Sequence, residues 1–344
     1  MNSALRVRQF APADAKPWDD FVLAQAEGTF FHLCGWRTVL ERAFRHTAHY
    51  LVAEDAAGIQ GVLPLAHVRS RLFGDSLVST PFCVYGGVLA ANADAQQQLL
   101  DAACDLARRL DVECLELRSR QRSRPDWPCK DLYVTFRKPI ATDPEVNLKA
   151  IPRKQRAVVR KSLERELAWD IDGDSGRLYP LYSESLRNLG TPVFGRDYLD
   201  LLQQVFGDAC EIQTVTHRGT PVASVLSFYF RDEVLPYYGG GTTAARQLGA
   251  NDFMYWKLME RAGGRGLRIF DYGRSKRGTG ACHFKENWGF EAIPLYYEYY
   301  LVRARDVPNL SPTNPRYQLM IATWKRLPLW LTRLIGPPIA RALG

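Results

Sequence analysis

The sequence predicts an α/β (α+β) chain of two tandem domains, each a mixed, mostly antiparallel sheet flanked by helices. Three observations carry this. At 344 residues there is room for two domains of ordinary size, and 46% of the residues are apolar, enough to give each a core. The order hairpin, strand, Gly-containing turn, helix, strand occurs twice along the chain. Tyr85-Gly86-Gly87 and Tyr238-Gly239-Gly240 stand 153 positions apart, and Arg118-Ser119 and Arg274-Ser275 stand 156 apart. A nearly constant offset of this kind is the mark of an internal duplication.

Taken in order, Trp18, Phe21 and Val22, then Trp36, Val39, Leu40 and Phe44, recur at helical spacing on either side of Gly28-Thr29. Two helices follow from that. His49 to Glu54 and Ile59 to Val68, joined through Ala57-Gly58, read as an antiparallel hairpin. Leu77-Val78, the Tyr85 to Leu89 segment, a helix from about Asn92 to Leu110 and a strand from Cys114 to Ser119 complete the first copy. In the second, Glu211 to Val215 and Val222 to Phe230 form the hairpin, and Glu233 to Tyr238 leads into Gly239-Gly240-Gly241. A helix from Ala250 to Ala262 and a buried strand from Leu267 to Tyr272 follow. The expected boundaries are 1–142 and 143–305 for the domains and 306–344 for a tail.

Charge is unevenly placed. Residues 146–163 hold six basic side chains and no acid, and 306–344 hold five against Asp306; together these segments exceed the net +8 of the whole chain. The remainder is slightly acidic, so two local basic features need explaining. Pro152 suits the first turn of a helix in which Arg153, Arg156 and Arg160 share one face, with Lys154 beside them. That face is either simply solvated or a phosphate grip, for which arginine is well suited. Val159, Leu163 and Leu167 are spaced to supply its apolar side. The basic helix lacks the interleaved aromatics of a nucleic-acid stacking surface, and DNA is not an expected partner.

The seven cysteines are odd in number, scattered and never in a C-x-x-C arrangement, so neither a disulfide framework nor a zinc site is expected. The first residues carry charges where a signal peptide needs an apolar run, which predicts a cytoplasmic protein. The tail mixes Leu319, Met320, Trp324, Trp330, Leu331 and Leu334 with basic residues and is broken by Pro328, Pro337 and Pro338. Two readings stand: an in-plane helix attached to anionic lipid at the inner membrane face, or a helix packed back on the second domain.

From Arg268 to Phe290 an apolar strand runs into a loop where Gly273, Gly278 and Gly280 free the backbone and Arg274, Lys276, Arg277 and Lys285 gather positive charge. That combination suits an anionic ligand. The second copy has the element order of the GNAT, or acyl-CoA N-acyltransferase, fold. There a splayed strand pair and the start of the next helix grip the acyl donor. The donor loop would be Arg246 to Asn251, with Arg246, Gly249 and Asn251 as donor-binding residues. It partly resembles the coenzyme A signature R/Q-x-x-G-x-G/A, Asn251 standing where a small residue is expected.

Three stretches, Asn188 to Phe194, Pro221 to Gly241 and Arg268 to Phe290, with Ile151 to Arg156 and the Pro-rich tail, resemble the FemAB-like proteins associated with the exosortase/PEP-CTERM system. The resemblance implies tandem GNAT-like domains related to Fem peptidyltransferases, which move an amino acid from aminoacyl-tRNA to an amine of a peptidoglycan precursor. Phe284-Lys285 followed by Trp288-Gly289 is similar to the Fem pattern F-K-x-x-F-G. By that match Lys285 is the catalytic candidate, a fixed ammonium that stabilises the oxyanion formed when an amine attacks an acyl carbonyl. Asp271 is the second, orienting Arg274 or accepting a proton. Phe284, Arg274, Ser275, Tyr238, Arg153, Lys154 and Arg156 are expected to bind substrate. The coiled-coil arm associated with tRNA handling in Fem enzymes has no counterpart in the sequence.

The expected function is acyl or aminoacyl transfer to an amine of a lipid- or nucleotide-linked glycan or peptide precursor, with no permanently bound cofactor and either acyl-CoA or aminoacyl-tRNA as donor. The alternatives are a tRNA-dependent Fem-type enzyme and a non-catalytic module binding anionic polymer. The first copy follows Arg118-Ser119 with neither the glycines nor F-K-x-x-W-G, so chemistry is expected in the second copy alone, the first serving as scaffold or acceptor platform.

Overall fold

A computed structural model describes residues 4–70, 73–308 and 315–343. Residues 309–314 of the predicted tail, and the side chain of Arg316, lie outside the described residues. The chain forms two compact units: Met1–Tyr133 with Pro294–Leu310 and Arg341–Gly344, and Val134–Ile293 with Ser311–Ala340.

Unit 1 begins with β1 (Arg6–Gln9), α1 (Ala15–Ala24), α2 (Gly35–Phe44) and β2 (Thr47–Ala48). It continues through β3 (Leu51–Asp55), β4 (Gly58–Leu63), β5 (Leu65–Ser70), β6 (Gly74–Ser79) and β7 (Leu89–Ala90), then α3 (Ala93–Arg109), β8 (Cys114–Ser119) and β9 (Cys129–Lys130). The Asn92 side chain accepts the Ala95 N–H at 2.9 Å and so starts α3, as a short polar N-cap does. Leu99, Leu100, Ala103 and Ala107 then give α3 an apolar face in the unit 1 core.

In unit 2, β10 (Tyr133–Pro139) is followed by α4 (Pro144–Ala150), α5 (Arg153–Leu163), β11 (Leu167–Asp172), α6 (Leu178–Leu189) and α7 (Arg196–Phe206). Next come β12 (Cys210–His217), β13 (Thr220–Phe230), β14 (Glu233–Gly241), α8 (Thr243–Leu248), α9 (Ala250–Gly264), β15 (Ile269–Asp271), β16 (Ser275–Lys276), α10 (Gly280–Asn287) and β17 (Ala292–Pro294). One sheet orders them β11-β12-β13-β14-β15-β10-β16, with β17 on β10. Gly240 lies so close to α6 that a Cβ there would stand 2.4 Å from the Leu181 carbonyl oxygen.

After β17 the chain forms β18 (Tyr296–Leu301), which pairs antiparallel with β8 and β9 in unit 1. Unit 1 thus has sheets β1-β3-β4-β7 and β2-β5-β6-β8-β18-β9. Helices α11 (Pro315–Trp324) and α12 (Leu329–Arg341) follow, and no described helix is long and apolar enough to cross a membrane.

The repeat is visible in topology. In each unit a helix, α3 or α9, connects two strands paired in parallel, the crossover that parallel pairing requires. Ser76 pairs with Cys114 and Glu233 with Ile269, offsets of 157 and 155. The tripeptides used as markers are not equivalent, however: Tyr238-Gly239-Gly240 lies in β14, whereas Tyr85-Gly86-Gly87 is in no strand. The apolar side of α5 is also narrower than its periodicity predicts. Val159 and Ser162 are buried, Leu163 is exposed, and Leu167 already belongs to β11.

Candidate active site

Asp271 ends β15 fully buried, and its Oδ1 accepts the Gly273 N–H at 2.7 Å and the Thr135 hydroxyl at 3.2 Å. An aspartate bonding its own backbone two residues on makes a turn, and Gly273 completes it at φ +66°, where a side chain would strain the backbone. Arg137 Nε lies 3.6 Å from Asp271 Oδ2, and the same guanidinium pairs with Glu233. Burial outweighs that pairing and pushes the Glu233 carboxyl up to about 7.

The turn faces α10. Thr279 caps this helix, accepting the Cys282 N–H, and the face carrying Cys282 and Lys285 is buried. Lys285 Nζ donates to the carbonyls of Gly273 at 2.9 Å and Arg274 at 3.1 Å, and lies 5.3 Å from the Phe136 ring centroid. An ammonium has three N–H donors, so one is left for a ligand. Loss of water lowers the Lys285 pKa to about 8, with Asp271 opposing the shift. The hydroxyls of Tyr272 and Ser275, both buried, have no hydrogen-bond partner.

The Trp that replaces the motif's Phe has its own function in the fold. Trp288 Nε1 donates to Asp252 Oδ1 at 3.1 Å, and Gln155 Nε2 donates to the same oxygen at 2.5 Å. Asp252 therefore ties α5, α9 and the end of α10 together, and burial raises its pKa. Phe284 is half-buried among Tyr255, Tyr272 and Trp288. Neither Gln155 nor Asp252 is among the site residues expected from the sequence.

The other expected residues are dispersed. Half-buried Arg274 contributes the carbonyl that Lys285 binds. Tyr238 lies in an aromatic cluster with Tyr182, Phe194 and Tyr198, its hydroxyl 2.7 Å from that of Tyr198. Arg156 folds back on the carbonyls of Lys149 and Ile151, while Arg153 and Lys154 are exposed. In the donor loop Arg246 is exposed on α8, and Gly249, at φ +63°, ends α8 and starts α9. The Asn251 Oδ1 stands 3.1 Å from where a Cβ on Gly241 would lie, so these two residues pack directly. Unit 1 has a polar recess of its own, lined among others by His32, Tyr85, Gly87, Gln96, Ser119 and Arg120.

Residues 148–286 match the family described as acetyltransferase (GNAT) domain. No curated protein matches the chain. Among solved structures, FemX is 14% identical, with a TM-score of 0.68 over 92% of this chain and 100% of its own. The C-terminal domain (DUF2156) of a putative lysylphosphatidylglycerol synthetase from Agrobacterium fabrum is 13% identical, with a TM-score of 0.56 over 90% of this chain and 95% of its own. A tandem GNAT protein from the clavulanic acid biosynthesis pathway is 12% identical, with a TM-score of 0.56 over 88% of this chain and 100% of its own. At these identities the likeness is one of fold. The chain therefore has a tandem GNAT architecture, and the match to the acetyltransferase (GNAT) family lies at residues 148–286.

Proposed function

We propose that the protein is an N-acyltransferase in which Lys285 stabilises the oxyanion formed when an amine attacks the donor's acyl carbonyl. One observation carries this reading: a buried ammonium with an unused N–H, held on the Gly273 and Arg274 carbonyls of a turn whose flanking residues, Tyr272 and Ser275, have buried hydroxyls with no partner. An unsatisfied buried hydroxyl costs about 1–3 kcal/mol, a cost that a bound ligand removes. The donor meets the start of α9 beyond Gly249, with Arg246 on its phosphates. Arg153 and Lys154 bind phosphate on the acceptor, an amine-bearing peptidoglycan or exopolysaccharide precursor presented at the inner membrane face. That acceptor class rests on the motif resemblance to the exosortase-associated FemAB-like group.

Aminoacyl-tRNA is the second donor reading, and one observation keeps it. The whole FemX chain is matched by a chain whose longest described helix, α3, has 17 residues. A long helical arm is therefore no requirement of the framework that the two share. Native mass spectrometry of protein taken from cells identifies a retained donor, and ribonuclease sensitivity of transfer separates tRNA from coenzyme A. With the donor in hand, Lys285→Ala is expected to lower turnover about 10²–10³-fold at unchanged fold. Full activity in that variant would remove Lys285 from the mechanism.

A further inference from the structure

Helix α12 presents its side chains in the reverse of the usual order. Thr332, Gly336 and Ala340, spaced four apart, are the buried residues. Gly336 packs so closely that a Cβ would stand 2.9 Å from Val193 Cγ1. Arg333 holds the same side down, with Nε 2.8 Å from Ser183 Oγ and its guanidinium over the Tyr179 ring. Two residues off that row lies roughly 200° round the helix, the opposite side, and there stand Trp330 and Leu334, each 66% exposed.

The preceding helix is seated differently but also leaves apolar side chains outside. In α11 Trp324 is buried, while Leu319 is 77% and Met320 51% exposed. Leu189, 67% exposed, precedes Gly190, whose own packing is against Ile321 of α11 and Lys325. No described large hydrophobic side chain outside this group is more than 52% exposed. Small residues thus seat α12, Trp324 and Ile321 seat α11, and Leu319, Met320, Trp330 and Leu334 are left exposed. From residue 315 to 344 there is no Asp or Glu, and exposed Lys325 and Arg326 occupy the turn between the helices.

We propose that the outer face of α11 and α12 docks in the plane of an anionic lipid surface. Leu319, Met320, Trp330 and Leu334 enter the boundary between headgroups and acyl chains, and Lys325 and Arg326 meet lipid phosphates. A second copy of the chain is the poorer occupant, because a twofold contact centred on this hairpin would bring Lys325 and Arg326 up to their own copies. The inference deepens the membrane-face reading above and rests on it only for which leaflet is met.

The test is flotation of the full chain with phosphatidylcholine vesicles, with and without about a third phosphatidylglycerol, at low and high salt. The wild type is expected to float with the anionic vesicles at low salt. Trp330→Ser/Leu334→Ser should lower partition at least about tenfold, and Lys325→Glu/Arg326→Glu should abolish the preference for anionic lipid. Because all four substituted side chains point into solvent, an unchanged circular dichroism spectrum and melting curve check the fold. Absence of flotation by the wild type, or equal flotation by the variants, overturns the proposal. So does a wild-type dimer, seen in sedimentation, that the Trp330/Leu334 variant dissolves without either protein binding vesicles. Lys285→Ala should float like the wild type, so a failure of the acyl-transfer reading leaves this result standing. Transfer to a water-soluble amine by the Trp330/Leu334 variant keeps the converse separate.

Discussion

Lys285→Met tests the most specific electrostatic feature of the site without any knowledge of substrate. An unfolded lysine titrates near 10.5, whereas burial brings Lys285 down to about 8 in the folded protein. Between those values the unfolded chain holds a proton that the folded chain has released, so wild-type stability must rise with pH. At pH 7 the charged amine costs the fold about 3 kcal/mol relative to a solvated lysine, and about 2 kcal/mol of this is recovered by pH 9.5. Methionine has the length of the lysine stem and no titration. The unfolding free energy of the wild type minus that of Lys285→Met is therefore expected to increase by about 2 kcal/mol from pH 7 to 9.5. Urea unfolding of both proteins at the two pH values, followed through the unit 2 transition, gives the number. A flat difference means that the amine is solvated. A decreasing one means that Asp271 holds the ammonium more tightly than burial disfavours it, and either result refutes the desolvated site.

Asp271→Asn removes the anion that opposes the shift of Lys285; the alkaline limb of the pH–rate profile should move to lower pH, and the fold should lose about 1–2 kcal/mol as the Gly273 N–H exchanges a charged acceptor for a neutral one. Trp288→Phe deletes the indole N–H on Asp252, for an expected loss of about 1 kcal/mol measured by urea unfolding. For Glu233, raised to about 7 from 4.5, the folded state holds the extra proton, so wild-type stability relative to Glu233→Gln should fall as pH rises from 4.5 to 7.

Elements whose residues sit in one continuous pattern were legible in the sequence. α1, α2, α3 and α9 follow from apolar spacing, and β12 to β14 from apolar runs separated at Arg218-Gly219 and Arg231-Asp232. α6 and α7 are not legible in this way. Pro180 and the Gly190 to Gly195 stretch look like breakers, yet Pro180 falls in the first turn of α6, where no intrahelical N–H bond is lost. β10 and β18 failed for a different reason. Each follows one repeat and joins a sheet beside the other repeat's parallel strand, β10 against β15 and β18 against β8. Strand propensity states that a segment pairs, never with whom, so a boundary drawn from local pattern runs through segments that topology assigns elsewhere.

The same distinction governs the site. Lys285 could be singled out because four aromatic, basic and glycine positions lie within six consecutive residues. The carboxylate beneath them could not, since Gln155, Asp252 and Trp288 are brought onto one oxygen from three separate elements, and a polar residue in a predicted helix reads as solvent-facing. The tail shows the limit from the other side. Its basic, Trp- and Leu-rich composition suggests either lipid or protein as its neighbour. Burial of Thr332, Gly336 and Ala340 shows that protein takes the small-residue face and leaves Trp330 and Leu334 outside. In α12 the bulky residues are therefore not the ones that pack on protein. That matters, because a helix seated by its small residues keeps its largest apolar surface available for something other than its own core.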